Sequence, residues 1–102
     1  VQITRMHGGK PWVAALDHPG LVAAAKAMKR GFGKEPVFQR EGGSIPVVAT
    51  FEEKLRIPSV LMGIGLPDCN AHAPNEKLDL ENFYGGIKSS AYFFAEFSEN
   101  KR

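Results

Sequence analysis

Four side chains with metal-binding chemistry lie close together in one polar loop of the chain. They are Asp68, Cys69, His72 and Glu76. Carboxylate, thiolate and imidazole groups are the usual protein ligands of zinc and related divalent ions. The loop follows a short apolar run that has the character of a buried strand, and α/β sheets bind their ligands beyond the carboxyl ends of strands. The loop is therefore a candidate metal site, and the alternative interpretation is a surface histidine in a polar loop.

Two more specific interpretations of this region are disfavoured. Cys69 and His72 have the spacing of half a zinc site, but zinc needs three or four protein ligands and the chain offers no second pair at a matching spacing. The run Gly63–Gly65 resembles a dinucleotide-binding loop, but Asp68 stands where the third glycine is required. Neither a self-contained zinc site nor a nucleotide site is predicted.

A second candidate region is the run "REGGSIPV", which begins at Arg40. Two glycines that precede a helix N-terminus expose backbone N–H groups, and such groups favour an anion. Ser44 adds a hydroxyl group and Arg40 adds a positive charge. The alternative is a tight turn followed by an ordinary capped helix.

The elements that position these residues alternate between strands and helices. Short strands are predicted over Val1–Met6, Glu35–Gln39 and Ser59–Ile64. Helices are predicted from a cap at Asp17 or His18 to Gly31, from a cap at Ser44 to Ile57, and from a cap at Asp79 onward. The second helix has Val47, Val48, Phe51 and Leu55 on one face, and the third has an apolar stripe of Leu80, Phe83, Tyr84, Ile87, Ala91, Phe94 and Phe97. The glycine pair Gly85–Gly86 inside that helix predicts close approach of another backbone. The order predicts an α/β fold.

Composition excludes several functional classes. The 102 residues are 43% hydrophobic and 24% charged, and the net charge is only +2. Because the basic residues are scattered, no nucleic-acid partner is expected. No apolar run approaches the roughly 18 residues that a membrane helix needs, and no signal peptide is apparent. A single cysteine favours a reducing compartment, so a cytoplasmic location is expected. The start at Val1 without an initiator methionine favours a segment of a longer protein.

Three runs in the chain together resemble a known enzyme family. They are "HGGKPW", "REGGSIPV" and "NAHAPNEKL", in this order. They resemble the carnosine dipeptidase and non-specific dipeptidase branch of the aminoacylase/carboxypeptidase metallohydrolases. In that family a catalytic domain with two zinc or manganese ions is interrupted by a smaller lid domain that also forms the dimer. The resemblance assigns residues 1–33 to the end of a lid/dimerisation domain and residues 34–102 to the C-terminal part of the catalytic domain.

The resemblance also implies roles for individual residues. His72 takes the place of the family's last metal-binding histidine and so becomes a metal ligand at the substrate site. Glu41 and Ser44 match positions that contact substrate. The family's other ligands and its general base precede this segment, so the segment supplies one metal ligand and no catalytic residue. One departure is the run Pro67–Asn70, because close relatives often carry two acidic residues before the histidine.

The implied function is that of a metal-dependent dipeptidase that hydrolyses peptide bonds next to a free carboxylate. Its expected partners are a dipeptide or related small substrate, the N-terminal part of the same catalytic domain and a second subunit in a homodimer. The isolated 102-residue chain is expected to be inactive. Alternatives are a carboxypeptidase or an N-acyl-amino-acid deacylase or desuccinylase of the same fold, or a non-catalytic dimerising module.

Overall fold

The computed structural model describes residues 1–4, 6, 8–41 and 45–99. The described residues form three helices, α1 (Pro19–Phe32), α2 (Pro46–Leu55) and α3 (Leu80–Glu99). Contacts divide the chain into two compact units. The first unit is Val1–Ala14 with Phe38–Ser59, and the second is Ala15–Val37 with Val60–Arg102. None of the helices in the described residues is long and apolar enough to cross a bilayer.

Helix α1 begins and ends at residues that suit its termini. The Gly20 N–H donates to Nδ1 of the N-cap residue His18 at 3.1 Å, and Pro19 occupies the first turn, where its missing N–H does no harm. The helix continues through Gly31 to Phe32, one residue beyond the predicted stop. The actual C-cap is Gly33, with a φ of 68° and an N–H that donates to the Lys29 carbonyl at 2.8 Å. Gly33 ends the helix because glycine adopts this left-handed conformation without steric strain.

Helix α2 lies in the first unit, and most of its apolar face is exposed. Pro46 occupies its first turn, and the N-cap is Ile45, whose side chain makes no cap hydrogen bond. The predicted cap Ser44 lies outside the described residues. Of the predicted apolar face only Val48 is buried, whereas Val47, Phe51 and Leu55 remain exposed. Near the helix, the Trp12 indole N–H donates to the Glu52 carboxylate and Lys10 pairs with Glu53 at 3.5 Å.

The second unit is built on the packing of α1 against α3. The buried residues of the two helices are mostly small, namely Gly20, Leu21, Ala23, Ala24 and Ala27 on α1 and Gly85 and Ser89 on α3. A Cβ atom placed on Gly31 would overlap the Ser89 Oγ and lie 2.9 Å from the Gly85 carbonyl oxygen. The two backbones therefore approach closely at Gly31, whereas the space beside Gly85 and Gly86 is occupied by the side chains of Phe32 and Ile64 and not by another backbone.

The apolar stripe of α3 is largely exposed in this chain. Leu80 and Phe94 are 70% and 73% exposed, and Phe83, Tyr84 and Ile87 are exposed as well. Small residues favour the contact between α1 and α3 because they allow the helix axes to come near each other, whereas bulky side chains would hold the helices apart. Arg30 adds a contact at this interface, pairing with Glu96 at 2.8 Å and lying 4.1 Å from the centre of the Tyr92 ring.

The strand part of the α/β prediction needs correction. None of the described residues of Val1–Met6, Glu35–Gln39 or Ser59–Ile64 is in a strand. A strand is defined by pairing with a neighbour, and these segments find none among the described residues. The third segment still keeps a strand-like alternation, with Val60, Met62 and Ile64 partly buried and Leu61 exposed.

Candidate functional site

The candidate metal loop, residues 65–79, joins the extended segment of Val60–Ile64 to α3 in the second unit. Its start is anchored to α3 because the Asn82 side-chain amide donates to the Ile64 carbonyl at 2.7 Å. Beside this bond, a Cβ atom placed on Gly86 would lie 2.8 Å from the Ile64 Cδ1. The glycine therefore lets the strand-like segment lie directly against the helix. Both ends of the 65–79 loop are thus held by α3.

Backbone hydrogen bonds fold the loop back on itself. The Cys69 N–H donates to the Leu66 carbonyl at 3.0 Å, and the Ala73 N–H donates to the Asn70 carbonyl at 2.9 Å. A longer bond closes the loop, because the Lys77 N–H donates to the Cys69 carbonyl at 2.9 Å. The bond between Lys77 and Cys69 therefore closes a loop over residues 69–77. The exposed residue His72 lies within this loop.

His72 has an unusual backbone conformation for a residue with a side chain. It is exposed, has a φ of 61° and occupies the third position of the turn that the Asn70–Ala73 bond closes. Turns with positive φ at the third position normally carry glycine or asparagine there. Asn70 and Asn75, at 53° and 60°, share this left-handed conformation. Backbone strain of this kind is concentrated at functional sites, where a side chain is required although glycine would adopt the conformation more easily.

A lysine joins the two ends of the loop by charge. The Lys77 ammonium group lies 2.8 Å from Asp68 Oδ2 and 3.6 Å from Asp79 Oδ2. The hydrogen bond from Lys77, with the attraction of its charge, holds the pKa of Asp68 below its ordinary value of 3.8. The same hydrogen bond raises the pKa of Lys77 above 10.5. Both groups are therefore charged across the neutral range. Sequence reasoning missed this lysine because it considered only metal-binding residue types.

The described part of the chain does not hold a complete metal site. No three histidine, cysteine or carboxylate side chains gather within residues 1–4, 6, 8–41 and 45–99 in a way that could hold an ion. Of the four candidate ligands in the loop, Asp68 forms an ion pair with Lys77 and Cys69 is half-buried, while His72 and Glu76 are exposed. The prediction that His72 ligates a metal ion is not tested by these contacts.

Two of the three predicted substrate residues, Glu41 and Ser44, lie outside the 65–79 loop in sequence. Glu41 belongs to the first unit, is exposed and accepts a hydrogen bond from the Gln39 side-chain amide. Ser44, with the glycine pair Gly42–Gly43 before it, lies outside the described residues. His72 belongs to the second unit. The roles of Glu41, Ser44 and His72 thus stay predictions.

The chain has counterparts among known peptidases. Residues 1–96 match the family described as peptidase family M20/M25/M40. The chain therefore belongs to this peptidase family, and the resemblance to its dipeptidase branch is confirmed.

Two curated relatives and a solved structure define the branch. The chain is 42% identical over 95 residues to the Cys-Gly metallodipeptidase DUG1 of Saccharomyces cerevisiae, covering 93% of this chain and 20% of that protein. It is 36% identical over 92 residues to the human Beta-Ala-His dipeptidase, covering 90% of this chain and 18% of that protein. It resembles the solved structure of the dipeptidase Dug1p from Saccharomyces cerevisiae with a TM-score of 0.84 and 43% identity, over 89% of this chain and 19% of that one. The chain thus spans about a fifth of the length of these relatives.

Proposed function

We propose that this chain is the C-terminal part of the catalytic domain, with the end of the lid/dimerisation domain, of a two-metal dipeptidase. The observation that carries the proposal is the 42% identity to a Cys-Gly metallodipeptidase over nearly the whole chain. The match to the peptidase family over residues 1–96 supports it independently. The boundary between the two domains is proposed at residues 33 and 34, where Gly33 ends α1.

The proposed contribution of this chain to chemistry is one imidazole. His72 would bind one of two divalent ions, zinc or manganese, together with ligands from the N-terminal part of the same catalytic domain. Such ions polarise a scissile carbonyl and lower the pKa of bound water. The chain supplies no general base, and its own task is to hold His72 at a fixed place beside the substrate. Glu41 and Ser44 are proposed to bind the dipeptide from the first unit.

Two further properties are proposed for the full-length enzyme. The exposed apolar faces of α2 and α3 support packing against the remainder of the catalytic domain, and the lid assignment supports a homodimer. The single cysteine supports a cytoplasmic location. A carboxypeptidase or an N-acyl-amino-acid deacylase of the same fold remains the alternative activity. The names of the relatives favour the dipeptidase.

The test is a His72→Ala variant of the full-length protein. We expect it to lose about one divalent ion per chain and to hydrolyse Cys-Gly and β-Ala-His at least about a hundredfold more slowly, because a metal ligand is removed. Elemental analysis and dipeptide turnover are the measurements. Ser44→Ala, run in parallel, should raise KM and keep both ions. Full metal content with near-normal turnover in His72→Ala would show that His72 is an ordinary loop residue.

The choice between activities uses the same preparation. Turnover of dipeptides is compared with turnover of longer peptides and of N-acyl amino acids. Faster hydrolysis of either of the latter would replace the dipeptidase by the corresponding alternative.

A further inference from the structure

Lys77 is placed to control the shape of the 65–79 loop. Its backbone N–H closes the loop on the Cys69 carbonyl at 2.9 Å, and its ammonium group reaches Asp68 at 2.8 Å and Asp79 at 3.6 Å. Asp68 lies at the entry to the loop over residues 69–77 that carries His72, and Asp79 lies at its exit. One residue therefore ties together both ends of the segment by main-chain and side-chain contacts.

The conformation inside the tied segment is one that needs support. His72 and the flanking Asn70 and Asn75 all have φ between 53° and 61°. Left-handed backbone is unfavourable for a residue with a Cβ atom, and less so for asparagine. Such a segment persists only where its surroundings define it strongly. Because His72 is exposed, the direction of its imidazole is set by this backbone rather than by packing.

We propose that Lys77 is the positioning residue of the metal-ligating histidine, and that it holds the 65–79 loop closed so that the His72 imidazole stays aimed at its ion. This inference rests on the proposed role of His72 as a metal ligand. Lys77 itself binds neither the ion nor the substrate. Its action goes through the loop, with Asp68 as its main partner and Asp79 as a weaker one.

The sign of the effect separates positioning from simple electrostatics. Lys77→Met removes a positive charge from the neighbourhood of a cation site, so a purely electrostatic role would tighten metal binding. Loss of positioning would weaken it, by about tenfold to a hundredfold if Lys77 acts as residues behind metal ligands usually do. Lys77→Arg keeps the charge and the donors and should restore most of the affinity.

The experiment titrates Co²⁺ alone into the metal-free full-length protein, followed by calorimetry and by the visible absorption of the bound ion. The proposal expects weaker binding at one site and an altered spectrum in Lys77→Met, recovery in Lys77→Arg, and no change in Lys26→Met. Lys26 is the matched control because it is an exposed lysine on α1 with no ion pair among the described residues. Unchanged or tighter binding in Lys77→Met would overturn the proposal.

Two further variants keep the outcome decisive. If Lys77→Met does not fold, Asp68→Asn takes its place, with Glu81→Gln as a control for loss of one negative charge outside the loop. Equal effects of these two changes would overturn the proposal. The variant His72→Ala shows which hypothesis is wrong if the expected result is not seen, the positioning role of Lys77 or the metal-ligand role of His72. If it removes a Co²⁺ site while Lys77→Met does not, only the positioning role falls, and if it removes none, the proposed function of His72 falls as well.

Discussion

At the scale of single residues, the candidate site combines an ordinary ligand type with an unusual backbone. The metal-binding residue types were visible in the sequence, and so was the family to which they belong. The left-handed conformation of His72 was not visible, because a positive φ depends on how the whole turn closes. Asparagine at positions 70 and 75 was the available signal, since asparagine and histidine tolerate this conformation better than most residues.

The backbone strain at His72 predicts that replacing this histidine by glycine stabilises the fold while it removes the metal ligand. In the full-length protein, His72→Gly should raise the free energy of unfolding of the metal-free protein by about 1 kcal/mol, because glycine adopts positive φ without clash. The same change should abolish binding of one metal ion. Denaturant unfolding of the metal-free protein and elemental analysis of the metal-loaded protein measure the two effects.

Asn75→Gly is the matched control for that experiment. Its φ of 60° is nearly the same, and it lies in the same loop. We expect a smaller gain of a few tenths of a kcal/mol, since asparagine already tolerates this conformation, with full metal content. A destabilised His72→Gly would mean that the imidazole supports the fold and that the conformation stores no strain.

At the scale of elements, local signals predicted where a helix begins, whereas the contacts between helices needed the structure. A cap is a local signal, so His18 located the start of α1 correctly. The buried face of α3 depends on what lies opposite, and α1 presents alanine and glycine there. The predicted strands failed for a related reason, since strand pairing is set by neighbours that can be distant in sequence.

The close helix contact makes Gly31 intolerant of a methyl group. Alanine in place of glycine inside a helix normally stabilises by about 1 kcal/mol. Here the new Cβ would overlap the Ser89 Oγ and approach the Gly85 carbonyl, so Gly31→Ala should instead destabilise the full-length protein by about 1–2 kcal/mol. Thermal and denaturant unfolding measure the change.

Gly63→Ala is the control, because nothing lies within 4 Å of a Cβ atom placed there. It should change stability by less than about 0.5 kcal/mol. Adding Ser89→Ala to the Gly31 variant should recover part of the loss, since it removes the overlapping hydroxyl. That hydroxyl is fully buried and has no hydrogen-bond partner in the part of the chain that the structure describes. A stabilised Gly31→Ala protein would show that α1 and α3 can separate without loss.

At the scale of the whole molecule, many large apolar side chains remain exposed to solvent and are not buried by the packing of the three helices. Exposed residues include Phe51 on α2 and Phe83, Ile87 and Phe94 on α3. Large exposed apolar patches are uncommon on monomers and mark surfaces that normally meet a partner. Membership of the family and the share of its relatives that the chain spans agree with this interpretation.

The 102-residue chain on its own is therefore expected to associate or to bind a hydrophobic dye, and to hydrolyse no dipeptide with either zinc or manganese present. Its apolar faces lack cover, and its described residues hold no group that can bind an ion alone. Light scattering, dye fluorescence and dipeptide turnover measure these properties. A monomeric chain that binds no dye and melts cooperatively would identify it as an independent domain, and turnover would refute the single-ligand role.

The contact between α1 and α3 also has a consequence for the order in which the protein matures during synthesis. Helix α1 ends at Phe32, whereas its partner is complete only at Glu99, about 67 residues later. At about 5–20 residues per second, the ribosome needs roughly 3–13 s to add that length. Throughout this interval α3 is not available to pack against α1, so Ala23, Ala24 and Ala27 lack this contact. The buried face of α1 is made largely of alanine, and small side chains offer a nascent chain little surface on which to misassemble.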